Sequence, residues 1–236
     1  MKKILAVILA RGGSKGIPGK NIIDVAGKPL LQYSIEAVAG LDEVVDCVVS
    51  SDDDAILKVA KDLGASVVER PSELAHDTAT SESALEHAIL ESKKRLSDFD
   101  TILLLQPTSP LRTKIHVAEA IEKFSKRQRG HSLVSVAVSP KNPYLFKHIS
   151  DQETLKDMFP VPEDQDYPLA RQANQAYYIN GAIYLVSVDY FLKTKSLYCD
   201  NMNYYLMSKQ DSLDVDDYFD LELARYLLTT RKGKHA

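Results

Sequence analysis

The sequence predicts an α/β fold with a doubly wound, mostly parallel sheet. Two segments, residues 4–10 and 101–105, are almost wholly apolar and show no alternation of polar and apolar residues. Such runs are typical of strands covered on both faces, as in a parallel sheet. Helix-like segments alternate with the strand-like ones, which favours βαβ units. Both apolar segments end in loops rich in glycine or proline, at the sheet edge where α/β proteins bind ligands.

The composition is that of a globular protein with no general attraction for polyanions. The chain has 236 residues, 44% of them apolar and 26% charged, with a formal net charge of −4. One domain over residues 1–236 is expected, with neither nucleic acid nor membrane as a partner. No apolar run approaches 18 residues, and Cys47 and Cys199 fit reduced thiols better than a disulfide. We therefore expect a cytoplasmic protein.

The first apolar segment leads into a glycine-rich, basic loop at residues 10–21, ARGGSKGIPGKN. Its glycines allow the backbone to approach a ligand closely, and Arg11, Lys15 and Lys20 supply positive charge, so a polyphosphate is the expected ligand. A Walker A loop matches less well, because Ser14 replaces its first glycine and Asn21 its metal-binding hydroxyl. A signal peptide or an ordinary glycine turn explains fewer of these residues.

Hydrophobic periodicity and capping residues predict the other elements in order. Helices are predicted at residues 30–39, 55–63, 81–95, 115–128 and 218–228, and further strands at 44–50, 66–69, 132–138, 179–186 and 204–207. We interpret the aspartates at 52–54 first as N-caps of the following helix. Residues 139–178 break the alternation, because frequent prolines exclude long helices while aromatic residues argue against a disordered linker. This segment is interpreted as an ordered insert used for association.

A polar loop, QPTSPLR, follows the second apolar strand. Its position at the carboxyl edge of the sheet places Gln106, Thr108, Ser109 and Arg112 where substrates bind in open α/β sheets. Two prolines stiffen the loop, and part of its role is to lead into the next helix.

Two aspartates near the C-terminus are candidates for a metal site. Asp214 and Asp216 lie two residues apart on a backbone predicted to be extended, so their carboxylates point the same way. Two such ligands leave most of an octahedral Mg²⁺ shell for phosphates and water. Helix capping explains Asp216 or Asp217 but gives no reason for Asp214.

Five motifs in the same order resemble those of the sugar nucleotidyltransferases, and specifically of the acylneuraminate cytidylyltransferases. They are ARGGSKGIPGKN at 10–21, RPSELAHDTATS at 70–81, LLLQPTSPLR at 103–112, NGAIYL at 180–185 and QDSLDVDDYFDLELA at 210–224. The resemblance covers nearly the whole chain. It implies transfer of CMP from CTP to the anomeric hydroxyl of a sialic-acid-like, nine-carbon 2-keto acid sugar, with release of pyrophosphate. It also implies Mg²⁺ or Mn²⁺ as the cofactor and a homodimer associated through the insert 139–178.

The resemblance and the loop positions together assign a role to each candidate residue. Catalysis would rest on Lys20, Arg11, Asp214 and Asp216, the last two as metal ligands. The nucleotide would be held by Arg11, Ser14, Lys20, Asn21, Arg70, Ala79 and Ser81, and the sugar by Gln106, Thr108, Ser109, Arg171, Gln172 and Asn180. One departure concerns position 178, a tyrosine where many members carry an arginine.

Two other classes of protein stay open on the sequence. A P-loop ATPase or kinase would use ATP, and a non-catalytic nucleotide-sugar sensor would need Arg70 and Gln106 but neither of the aspartates at 214 and 216. The resemblance to the cytidylyltransferases also leaves open which acidic sugar is the substrate, because N-acetylneuraminate, legionaminate and pseudaminate derivatives share the carboxylate and ring.

Overall fold

The computed structural model describes residues 2–76, 78–96, 98–126, 131–151, 153–159 and 175–232. Its main strands are β1 (Ile4–Leu9), β4 (Val44–Ser51), β5 (Ser66–Glu69), β6 (Thr101–Leu105), β7 (Ser132–Val138), β10 (Tyr177–Ser187) and β11 (Asn203–Leu206). Two small antiparallel hairpins pair β2 (Asp24–Val25) with β3 (Lys28–Pro29), and β8 (Lys147–Ile149) with β9 (Leu155–Asp157). The helices are α1 (Gln32–Glu36), α2 (Asp54–Asp62), α3 (Ser81–Lys93), α4 (Lys114–Lys126), α5 (Val188–Thr194) and α6 (Tyr218–Lys232).

The main strands form one sheet in the order β11-β7-β10-β6-β1-β4-β5. Strand β1 pairs in parallel with β4 and β6, β4 with β5, and β7 with β11, whereas β10 runs antiparallel to its neighbours β6 and β7. The chain first builds outward from β1 to β5 and then returns to the other side of β1 with β6. The predicted doubly wound, mostly parallel sheet is therefore confirmed, and its topological switch point lies between β1 and β6.

Both faces of the central strand β1 are buried, as its apolar sequence predicts. Ile4, Ala6 and Ile8 belong to one core, which also contains Val117 and Phe124 of α4. The intervening residues Leu5 and Val7 belong to a second core with Leu85 and Ile89 of α3. Alternate side chains of a strand point to opposite faces, so a covered strand must be apolar at every position. Within the described chain, no helix is both long and apolar enough to cross a lipid bilayer.

Most predicted elements are present, with differences at their ends. The predicted helix at 30–39 is only five residues long, because the chain leaves the helix at Ala37 and turns through Gly40, whose φ is +67°. Helix α5 and both small hairpins were not predicted. The capping interpretation of the acidic triplet is confirmed for Asp53, whose side chain accepts hydrogen bonds from the N–H groups of Ala55 and Ile56.

Candidate functional site

The glycine-rich loop after β1 is held in place from two sides. The Asn21 amide donates to the Arg11 carbonyl (2.9 Å), which ties the end of the loop to its beginning. The Gly12 N–H donates to Asp52 Oδ1 (3.0 Å) at the end of the neighbouring strand β4. Gly12 has no room for a side chain, because a Cβ there would lie 2.7 Å from Asp53 Oδ2. Besides capping α2, the acidic triplet thus supports this loop.

The structure argues against a P-loop at this position. A P-loop opens an α-helix directly, so that the helix N-terminus binds the phosphates. Here a three-residue 3₁₀ turn, Lys20–Ile22, follows the loop, and the next α-helix begins only at Gln32. The loop can bind an anion through its basic side chains and N–H groups, but not through an α-helix N-terminus.

Lys20 joins the glycine-rich loop to the acidic segment near the C-terminus. Its ammonium donates to the Val215 carbonyl (2.9 Å) and lies 3.3 Å from Asp216 Oδ1. The side chain of Lys20 is only 14% exposed, whereas that of Asp216 is 75% exposed. The two segments also touch at Gly16, where a Cβ would lie 2.4 Å from the Asp216 carbonyl oxygen. Charges of both signs therefore face one cleft.

Asp214 has the properties of a metal ligand. Its Oδ1 is buried and has no hydrogen-bond partner among the described residues, while Thr108 donates to the carboxylate. Burial raises the pKa of Asp214 above its ordinary value, the nearby Asp216 raises it further, and the bond from Thr108 and the charge of Lys20 oppose these effects. An unsatisfied buried carboxylate oxygen is destabilising unless something binds it.

The donor set suits Mg²⁺ or Mn²⁺ with few protein ligands. Capping of α6 falls to Asp217, which accepts from the Asp220 N–H (3.0 Å), so Asp214 and Asp216 are not needed for it. The described residues contain no group of three or more His, Cys, Asp or Glu side chains arranged for a metal. Two hard carboxylates fit an ion whose shell is completed by phosphate and water oxygens.

Most of the predicted site residues line one cleft of about 580 Å³ at the carboxyl edge of β1 and β6. This central cleft lies at the switch point of the sheet, where ligands bind in open α/β folds. Its lining includes Arg11, Ser14, Lys20, Asn21, Ser81, Gln106, Thr108, Asp214 and Asp216.

A second pocket of about 310 Å³ adjoins the central cleft and shares Leu9, Arg11 and Ser81 with it. Arg70 and Ala79, both predicted to bind the nucleotide, line it together. Arg70 is only 6% exposed, and its guanidinium donates to the carbonyl (2.7 Å) and the hydroxyl (3.2 Å) of Ser50. Burial lowers its pKa, an effect that the charge of nearby Asp52 opposes. The remaining guanidinium N–H groups can donate to a planar, acceptor-bearing ligand.

A third pocket of about 500 Å³ adjoins the cleft on its other side and shares Gln106, Tyr184 and Asp214 with it. Gly181 brings the backbone of β10 against the end of the Gln106 side chain, since a Cβ there would lie 2.4 Å from Gln106 Oε1. Asn180 also lines this pocket. The residue, however, is only 4% exposed, and its side chain is hydrogen-bonded inside the protein.

Two residues of the QPTSPLR loop lie behind the cleft and not in it. Ser109 is 1% exposed and lines none of the three pockets. Arg112, expected to meet substrate, is 2% exposed and donates to the carbonyls of Gln106 (3.0 Å) and Ala182 (2.9 Å). Burial lowers the pKa of Arg112 to about 9. Its position supports the backbone of Gln106. The predicted sugar contacts Arg171 and Gln172 lie outside the described residues.

The motifs in the sequence did not predict an apolar wall of the central cleft. Leu104, Tyr184, Leu197 and Tyr198 form this wall, and the hydroxyls of Tyr184 and Tyr198 are hydrogen-bonded to each other. Leu197 and Tyr198 follow α5 in an irregular segment where periodicity gives no signal. Tyr184 could have been found, because it lies within the NGAIYL motif.

Comparisons with known proteins agree with this geometry. The model of the cytidylyltransferase family matches residues 5–232, so the chain belongs to that family. The chain is 35% identical, over 94% of its length, to an N-acylneuraminate cytidylyltransferase of Escherichia coli, but covers only 51% of that protein. It is 34% identical to a CMP-N,N'-diacetyllegionaminic acid synthase of Legionella pneumophila, and the match covers 96% of each chain.

Other relatives differ in the acid that their names give. A pseudaminic acid cytidylyltransferase of Campylobacter jejuni is 32% identical, with 95% of this chain and 96% of that protein covered. The chain spans about half the length of the first four curated relatives and nearly all of those named for legionaminic and pseudaminic acid. Among solved structures, a CMP:2-keto-3-deoxy-manno-octonic acid synthetase complexed with CTP shares the fold, with a TM-score of 0.72, 18% identity and coverage of 98% and 100%.

Proposed function

We propose that the protein transfers CMP from CTP to the anomeric hydroxyl of a nine-carbon 2-keto acid sugar and releases pyrophosphate. The observation that carries this proposal is the row of three adjoining pockets, in which neighbours share lining residues. The middle cleft combines basic side chains with two carboxylates, as a triphosphate and its metal require. The outer pockets then offer one place for the base and one for the sugar.

Arg70 suits recognition of cytosine. Cytosine offers O2 and N3 as acceptors, whereas uracil carries a proton on N3, so an arginine donor in a buried pocket favours cytosine. The bonds to Ser50 hold the guanidinium in one orientation, which reduces the entropy lost when the base binds. In this proposal Ala79 and Ser81 form the other side of the base pocket, and Asn21 contacts the ribose.

Catalysis in this proposal consists of positioning and charge neutralisation. Arg11, Ser14 and Lys20 bind the triphosphate so that the sugar hydroxyl attacks the α-phosphorus in line with the departing pyrophosphate. Asp214 and Asp216 would hold Mg²⁺ or Mn²⁺, which when bound neutralises phosphate charge and lowers the pKa of a hydroxyl that it contacts. No covalent intermediate with the protein is required.

The sugar belongs in the third pocket, with Gln106 and Thr108 between it and the phosphates. Arg171 and Gln172 are proposed as further sugar contacts, in keeping with the family resemblance. Relatives named for sialic, legionaminic and pseudaminic acids match this chain at similar identity. The proposal therefore names the class of nine-carbon 2-keto acid sugars as the substrate.

The test is a two-way screen of nucleotides against sugars. Purified protein is supplied with CTP, UTP, ATP or GTP and with N-acetylneuraminate, a legionaminate, a pseudaminate or no sugar. We expect pyrophosphate release only with CTP plus one of the acids, together with formation of the CMP-sugar. Chelation should abolish this activity and Mg²⁺ or Mn²⁺ should restore it. Release of orthophosphate from ATP without sugar would instead support a nucleotidase, and binding without turnover would support a sensor.

We further propose that the protein is a cytoplasmic homodimer associated through the insert 139–178. Ile149 and Leu155 face each other across the β8–β9 hairpin and are 74% and 72% exposed. An isolated two-stranded hairpin is at best marginally stable in water, and a two-fold copy would cover both hairpins reciprocally. We place the protein in the cytoplasm because CTP is its proposed substrate and because Cys47 is a free thiol. Burial raises the pKa of this thiol to about 12 and so keeps it protonated.

Sedimentation equilibrium tests the dimer. The pair of changes Ile149→Glu and Leu155→Lys should give monomers at concentrations where the unaltered protein is dimeric. Ile115→Glu is the matched control, because Ile115 is also an exposed aliphatic residue (66%) but lies on α4. Equal masses for all three proteins would contradict association through the hairpin.

A further inference from the structure

Strand β10 contains a bulge of four residues beside the third pocket. Ile179 pairs with Val136 of β7 and Tyr184 pairs with Val134, so residues 180–183 face a single residue, Ser135. Gly181 within the bulge has a φ of +76°. The Ser135 hydroxyl fills the bulge and accepts a hydrogen bond from the Ile183 N–H (2.8 Å). Bulges of this kind redirect side chains and are designed features of a sheet.

The carboxamide of Asn180 connects this bulge to another part of the chain. Its oxygen accepts from the Ser135 hydroxyl and from the Ala182 N–H (3.2 Å). Its nitrogen donates to the Ser212 hydroxyl (2.7 Å) and to the sulfur of Met207 (3.4 Å). Because the side chain is buried and all its hydrogen-bonding groups are used, it acts inside the protein and not on a ligand.

Ser212 connects Asn180 to the segment that carries Asp214. It is 6% exposed, and its hydroxyl donates to the Ser208 carbonyl (2.7 Å) while accepting from Asn180. Asp214 follows two residues later. On its far side, the Val215 N–H donates to the Thr108 carbonyl (2.8 Å). The backbone at Asp214 is therefore held on both sides. Ser212 connects it to the bulge of β10, and Val215 connects it to the loop after β6.

We propose that Asn180 is a positioning residue that fixes the backbone on which Asp214 binds its metal. This inference rests on the proposed function, since it takes Asp214 as a metal ligand. Buried hydrogen bonds are strong in their low-dielectric surroundings and rigidify the groups that they join. Residues that orient metal ligands in this way affect metal affinity although they never touch the ion. The carboxamide of Asn180 also joins the segment that carries Asp214 to the lining of the third pocket.

The test measures metal binding without turnover. Mn²⁺ is titrated into the protein without nucleotide or sugar, and free Mn²⁺ is followed by its electron paramagnetic resonance signal. Asn180→Ala and Ser212→Ala should each weaken Mn²⁺ binding by about tenfold, the lower end of the range for residues that orient ligands. The double variant should be no weaker than either single one, because both remove the same connection.

Ser135→Ala is the matched control. It removes a buried hydroxyl from the same network, one that bonds to the oxygen of Asn180 and not to Ser212. Thermal unfolding should report a loss of stability for Ser135→Ala comparable with that of Ser212→Ala, while its Mn²⁺ affinity stays at the unaltered value. The contrast separates positioning of Asp214 from general destabilisation.

Three results would overturn the inference. If Asn180→Ala and Ser212→Ala lower the unfolding temperature but bind Mn²⁺ like the unaltered protein, the network is structural only. If Asn180→Ala alone raises the sugar KM, with Mn²⁺ affinity unchanged, Asn180 contacts the sugar directly. Mn²⁺ binding that Asp214→Asn leaves unchanged would overturn the proposed metal site itself, and with it this inference.

Discussion

Replacing Gly181 by alanine should disturb sugar binding by displacing Gln106. The backbone of Gly181 is left-handed, with φ at +76°, and an added Cβ would lie 2.4 Å from Gln106 Oε1. Since that oxygen is at the end of a flexible side chain, the carboxamide moves and the backbone does not. A left-handed alanine costs about 1–2 kcal/mol, which lowers the unfolding midpoint by about 2–8 °C in a domain of this size.

Gly64→Ala provides the matched control. Gly64 has a φ of +82°, and a Cβ added there would meet no other atom within 4 Å, so the variant suffers the same backbone strain without a steric contact. Both variants should unfold at lower temperature. Only Gly181→Ala should raise the sugar KM, by about threefold to tenfold for one lost hydrogen bond, with the CTP KM nearly unchanged. Equal sugar KM values for the two variants would refute the role of Gln106 in sugar binding.

Three further predictions concern charged residues of the site. Lys20→Ala should lower the rate at saturating CTP by about 10²–10³-fold, because the ammonium neutralises charge that develops in the transition state; an unchanged saturated rate would exclude this role. Arg70→Lys keeps the charge but loses the planar fork held by Ser50, so the ratio of kcat/KM for CTP over UTP should fall by at least about tenfold. Asp214→Asn should abolish activity and yet raise the unfolding temperature of the metal-free protein. Burial raises the pKa of Asp214 in the folded protein above its value in the unfolded chain. Ionisation of this carboxylate therefore destabilises the folded protein as the pH rises from the unfolded pKa through the folded pKa. The difference in unfolding temperature between Asp214→Asn and the unaltered protein should grow across that pH range.

The fold was predictable because its signal is local. In β1 every residue is apolar, and the structure assigns alternate residues to two separate cores. That pattern fits a strand covered on both faces and fits little else. The hairpin β8–β9 gave no such signal, since strands of three residues are too short to show periodicity. Helix α5, at seven residues, is shorter than the window in which helical spacing becomes clear.

The composition of the central cleft was predictable from motifs, but its connections were not. Lys20 and Val215 are 195 positions apart in sequence, and only the fold brings the ammonium to that carbonyl. Arg112 was predicted to meet substrate, because an arginine in a polar loop is more often exposed than buried. It is buried here because neighbouring backbone carbonyls accept its hydrogen bonds, and such acceptors cannot be recognised in a sequence.

The pairing of Lys20 with Asp216 suggests how the site tolerates its own charges. Two carboxylates in one cleft repel each other, and an ammonium 3.3 Å from Asp216 offsets part of that repulsion. In the proposed reaction the triphosphate would become the partner of Lys20 and the metal the partner of Asp216. Each charge then exchanges one partner of opposite sign for another, so substrate binding leaves neither group without a partner. Asp214 gains most from the exchange, because its buried oxygen, which lacks a partner among the described residues, acquires one.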